Sequence, residues 1–277
     1  MLIRCGYEIT VNCWEPTAMV LQLTVRDEIA ADIVKPEVFW TDPKIETSLY
    51  RDLFGNVCRR LVAPPGNLTF SADSLIRVSG EYDAADDSAH QHEVADLPDD
   101  CLVFLMGSRY CETDRLSQIA WDLFGQTAPG WARVQAICDF THQRIVFDYQ
   151  NARVTRTAFE AYEERTGVCR DYAHLAVALC RAMNIPARYV NGYLGDICVS
   201  KPADPMDFAA WIEVYLGGRW WTFDPRNNVR RIGRIVISHG RDAADVAMVS
   251  SFGPHILNHF RVWTDEVTDG QVSAQAH

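Results

Sequence analysis

Long apolar runs are absent from this 277-residue chain. No stretch approaches the roughly 20 apolar residues that a membrane helix needs, so no membrane partner is expected. Positive charge is scarce: 26 Lys and Arg stand against 37 Asp and Glu, a net charge of -11. Binding to phosphates draws on a basic surface, which excludes nucleic acid as a partner and disfavours an anionic membrane surface. The start, MLIRCGYEITVNCWEP, lacks the basic region, apolar run and small-residue cleavage site of a secretory signal. The nine cysteines are scattered, odd in number and without a CxxC pair. That pattern fits reduced thiols in a cytoplasmic protein and not a disulfide framework. There is no internal repeat.

What is present is ordinary for a folded chain, 48% hydrophobic and 23% charged, enough for one large domain or two moderate ones. The first hundred residues read as strands. TAMVLQLTV (17–25) puts Leu21, Leu23 and Val25 on one face, LYRDLFGNVCRRLVAP (49–64) has Gly-Asn between two β-like runs, and LTFSADSLIRVSGEY (68–82) continues the pattern. These predict an antiparallel β-sandwich. The acidic stretch EYDAADDSAHQHEVADLPDD (81–100) reads as a solvated loop, and its His90 and His92 lack the third ligand of a metal site. From about Asp114 the period turns helical, in LSQIAWDLFG (116–125), in WARVQAICDFTHQRIVF (131–147) and around Ala158 and Tyr162. Helices gathered before strands, without a βαβ rhythm, predict an α+β unit over 114–277 after a β-sandwich over 1–113.

In TGVCRDYAHLAVALCRAMNIPAR, Gly167 breaks the preceding structure, and a largely buried helix is expected from Cys169 to about Asn184, stopped by Ile185-Pro186. A cysteine in a first turn feels the positive end of the helix dipole, which favours thiolate below the usual pKa of about 8.5. The alternative is that Cys169, like Cys180, is a small buried hydrophobe. His174 lies about 140° round the helix from Cys169 and points elsewhere, with Asp171 placed to be its partner. Further on, DFAAWIEVYLGGRWWTFDPRNN (207–228) reads as a hairpin about Gly217-Gly218. A two-residue turn pairs Leu216 with Arg219 and sets Asp224 opposite Trp211. Position 209 is then a diagonal neighbour of Asp224 at about 7 to 8 Å on the same face. That position is Ala209.

The Gly-x-Cys at a helix start, the strand IPARYVNGY, the order AW-x-E-V-Y-L-G-G-x-W and the closing F-D-P together resemble the core of the transglutaminase-like family. The N-terminal part, with YRDLFGN, resembles the β-domain that often precedes this core in bacterial members. The resemblance implies a papain-like α+β fold, acyl chemistry on a peptide or protein amide without a cofactor, and a Cys-His-Asp triad. Position by position, Cys169 matches the nucleophile that forms a thioester and Asp224 the residue that orients the imidazole. The family histidine precedes Ala210-Trp211, where this chain has Ala209.

Three readings follow from that departure. His239 in VISHGRDAADV folds back as a substitute base; or the helix terminus supplies thiolate, with Asp224, Asp207 or Glu213 assisting; or the fold is kept as a silent binding module. Trp211 and Tyr193 are candidates for a groove wall and Arg226 for an anionic group on substrate, with core packing and surface ion pairs as the alternatives. Asp242 and Asp245 are site candidates or a solvated face. His255 and His259 in HILNH lack a third metal ligand, and no metal is expected.

Overall fold

The computed structural model describes residues 1–200 and 205–267. Its N-terminal half is built from β1 (Leu2–Cys13), β2 (Thr17–Leu21), β3 (Ile33–Asp42), β4 (Thr47–Arg51), β5 (Val57–Ala63) and β6 (Gly66–Arg77). Alternation places Ile3, Cys5, Tyr7, Ile9, Val11 and Cys13 of β1 in the core and their neighbours, apart from the buried Gly6, outward. The middle of the chain carries α1 (Asp99–Leu102), α2 (Thr113–Phe124), α3 (Trp131–Arg144), β7 (Val146–Phe147), α4 (Ala158–Glu164), β8 (Thr166–Gly167) and α5 (Cys169–Ala182). Then come β9 (Ala187–Leu194), β10 (Ala209–Leu216), β11 (Arg219–Phe223), β12 (Arg234–Gly240), β13 (Val249–Ser251) and β14 (His255–Val267).

Two four-stranded sheets, ordered β14-β1-β6-β3 and β13-β2-β5-β4, form the sandwich. A third, β11-β10-β9-β12, carries the helices. On its helix side Ala210, Ile212, Val214 and Leu216 of β10 pack with the small side chains of α5, every residue of which from Asp171 to Ala182 is buried. Its other side sends Tyr193, Ile235 and Ile237 into the sandwich core beside Tyr7 and Phe70. The site region therefore rests on two packed faces.

Two expectations need revision. Residues 249–267, read as part of the second unit, return to the first: β13 pairs with β2 and β14 with the whole of β1. β14 is held there by ladder hydrogen bonds along the open edge of β1, with only Val262 and Thr264 of its side chains buried. The stretch 81–100 is not simply solvated: the Trp131 N–H donates to the Ala89 carbonyl at 3.0 Å, and the Gly218 N–H donates to His92 Nε2 at 2.9 Å. It lies across the hairpin turn. The register itself is as expected, with Leu216 facing Arg219 and Ile212 facing Phe223, and both turn glycines have the positive φ (56° and 86°) that such a turn demands.

Candidate active site

The start of α5 is set by a buried carboxylate. Asp171 accepts from the Val168 N–H at 2.9 Å and from Arg156 at 3.1 Å, satisfying a first-turn amide. Gly167 makes this possible, because a Cβ there would lie 2.6 Å from the Asp171 Cβ. Asp171 is thus committed to the helix start and not to His174. The His174 ring is fully buried between Tyr110 and Tyr189, each 5.0 Å away, and its Nε2 accepts the Ala243 N–H at 3.1 Å. Burial, reinforced by Arg170 and Arg181, keeps that imidazole neutral, well below its ordinary pKa.

Cys169 opens onto a cleft of about 80 Å³ that it shares with Phe147, Asp207, Ala209, Arg226 and Asn227. The backbone amides of Ala210 and Arg170 favour the charged form of its sulfur, and β10 brings Ala209 and Ala210 into the lining of the same cleft. The expected thiolate does not follow. Burial pushes the Cys169 thiol up to about 11, the Asp207 carboxylate adding to the rise, and the two amides and Arg226 recover only part of it. Desolvation outweighs the partial charge of one helix terminus here.

Asp224 is almost wholly buried. Its carboxylate accepts from Arg234 at 2.8 Å and from the backbone and side-chain amide of Asn227 at 2.9 and 2.8 Å. Burial alone would raise its pKa; Arg234 and the Asn227 donors reverse this and hold it below the ordinary value. Arg234 in turn lies 4.9 Å over the Trp211 ring and bonds Asp83 at 2.9 Å. The lip on which an imidazole would sit therefore ends in the methyl of Ala209, with the orienting aspartate engaged by an arginine. No imidazole lines the cleft among the described residues.

The structure separates the remaining candidates. His239 is away from the cleft, its backbone locked to Asn56 and its Nε2 3.3 Å from Arg188. Burial and the cations Arg188 and Arg26 push its pKa down to about 3, unsuitable for returning a proton near neutrality. Trp211 and Tyr193 are core residues, 0% and 2% exposed, and neither forms a groove wall. Glu213 is held by Arg188 at 2.6 Å, and Asp242 accepts the Tyr110 and Ala244 amides at 2.7 and 2.8 Å, while Asp245 holds Arg241 at 2.8 Å. Arg226 does line the cleft, 4.3 Å over the Phe147 ring, and has no carboxylate partner among the described residues. Sequence reasoning missed Asn227 and Arg234 as the groups Asp224 holds; Asn227 sits three residues past that aspartate, a spacing that signals an Asx-type turn. A larger neighbouring cavity of about 620 Å³ reaches Asp224 from α3, but its cysteine, Cys138, is buried with its thiol held far above the ordinary value. No cluster of metal-ligating side chains occurs among the described residues.

Residues 118–225 match the family model described as the transglutaminase-like superfamily. A solved structure from Cytophaga hutchinsonii, provisionally named a cysteine protease, is 31% identical with a TM-score of 0.87, over 97% of this chain and 91% of that one. An uncharacterised protein of Mycobacterium leprae is 40% identical over 98 residues, 34% of this chain and 34% of its own length. An uncharacterised protein of Mycobacterium tuberculosis is 26% identical over 243 residues, 81% of this chain and 77% of its own.

Proposed function

The chain belongs to the transglutaminase-like superfamily, and from that premise we propose that it is a slow cysteine amide hydrolase, acting on peptide or protein substrates through a thioester on Cys169. One observation carries the reading: the nucleophile position and position 209 open onto the same cleft. Hydrolysis is preferred to transfer because nothing in the cleft marks a second, amine-accepting site among the described residues. Asp224 keeps its triad position in this reading, but as an anchor for Asn227 and Arg234. Arg226 is available to an anionic group on substrate. A reducing, cytoplasmic setting belongs to the same proposal and is supported by nine cysteines that are all unpaired.

The high thiol pKa and the methyl at position 209 favour a second reading, a cleft that binds peptides without cleaving them. The two are separated by incubating the protein with a peptide library and following cleavage by mass spectrometry. Slow cleavage that disappears in Cys169→Ser supports the hydrolase; binding without cleavage at any pH supports the silent cleft.

A further inference from the structure

Asp207 is a cleft group that no triad position accounts for. It lines the cleft with Cys169 and Ala209. Its carboxylate accepts only the adjacent Phe208 N–H, at 2.7 Å, and has no cation partner among the described residues. Phe208 is anchored on the other side, its ring 5.2 Å from Tyr193 and 6.2 Å from Tyr7, which fixes the backbone between the two cleft positions. Position 209 carries only a methyl, and Cys169 is half-exposed in the same cleft. The charge of Asp207 reaches the thiol, raising its pKa. Burial raises the Asp207 carboxyl itself, the direction that makes a carboxylate a better base.

We propose that Asp207 is the proton acceptor and donor for Cys169, standing in for the absent histidine. The inference rests on the hydrolase reading above. The Asp207 carboxylate takes the thiol proton as the sulfur bonds to the amide carbonyl. Collapse of the tetrahedral intermediate breaks the C–N bond, and the Asp207 carboxyl returns the proton to the leaving amine, leaving a thioester. Asp207 then takes a proton from water as that oxygen attacks the thioester; the C–S bond breaks, and the proton goes back to the sulfur. One water is consumed, giving one acid and one amine.

The test uses p-nitrophenyl acetate, reading nitrophenolate release and the acetyl mass on Cys169. Wild type is expected to acetylate slowly, Asp207→Asn about a hundredfold more slowly still, and Asp207→Glu in between. Ala209→His placed on Asp207→Asn is expected to restore the rate. The wild-type rate should fall in acid as the Asp207 carboxyl protonates, at a pH set also by Asp196, Arg226, Arg231 and the thiol, which share the cleft; Asp207→Asn should lack that limb. A merely electrostatic Asp207 predicts the opposite, since removing its charge lowers the thiol pKa and speeds acetylation. Asp207→Asn at or above the wild-type rate overturns the proposal. So does acetylation that appears only when His is installed at 209, which leaves Cys169 as nucleophile. Label that persists in Cys169→Ser instead sinks the hydrolase reading.

Discussion

Cys169 and Asp224 have opposite electrostatic fates, and both are measurable. Cys169 is half-buried without a cation strong enough to hold a thiolate, and desolvation pushes its thiol up to about 11. Iodoacetamide near neutral pH is expected to label the exposed Cys198 first, with Cys169 labelling still accelerating towards pH 11; peptide mapping that finds Cys169 labelled first, with a plateau near pH 7, contradicts this. Asp224 is the reverse case. Its folded pKa lies below the ordinary 3.8, so as pH falls the unfolded chain takes up the proton first. The stabilisation is complete above about pH 4 and fades as pH drops through the folded value. Asp224→Ala leaves Arg234 buried and half-unpaired, and a loss of about 3 kcal/mol in a denaturant melt is expected. The sequence made the position of Cys169 legible but not its charge state, because dipole arguments name the attraction and omit the desolvation that only packing reveals.

At the scale of elements, the hairpin was legible to the residue. A Gly-Gly turn allows only one register, and alternation then decides the faces. Gly218→Ala places a Cβ at φ 86° and is expected to cost about 1 kcal/mol without altering the Cys169 cleft; a loss of several kcal/mol would mean the turn is held by more than its own geometry. Gly192 is stricter, since a Cβ there meets the Ile235 carbonyl at 2.1 Å and Trp211 at 2.7 Å. Gly192→Ala is expected to disrupt the β9–β12 pairing and lower the melting temperature sharply by circular dichroism. What escaped sequence reasoning was the return of β13 and β14 to the sandwich. A strand's own alternation says that it needs a partner, not which of several open edges will supply one.

For the whole molecule, the sandwich core and the helix-side core meet on the two faces of the β9–β12 sheet, and that sheet fixes residues 207–224 around the thiol. The family likeness could be read from ordered motifs, and so could the missing imidazole. The sequence offered Asp224, Asp207 and Glu213 as assisting carboxylates but could not choose among them, because only packing engages Asp224 with Arg234 and Glu213 with Arg188 and leaves Asp207 in the cleft. The central claim is that position 209 faces the nucleophile and that its methyl limits the rate. It is tested most directly by the rate of Cys169 acetylation at pH 7 in Ala209→His against wild type. An increase of about a hundredfold is predicted; an unchanged rate in a correctly folded variant would contradict the account.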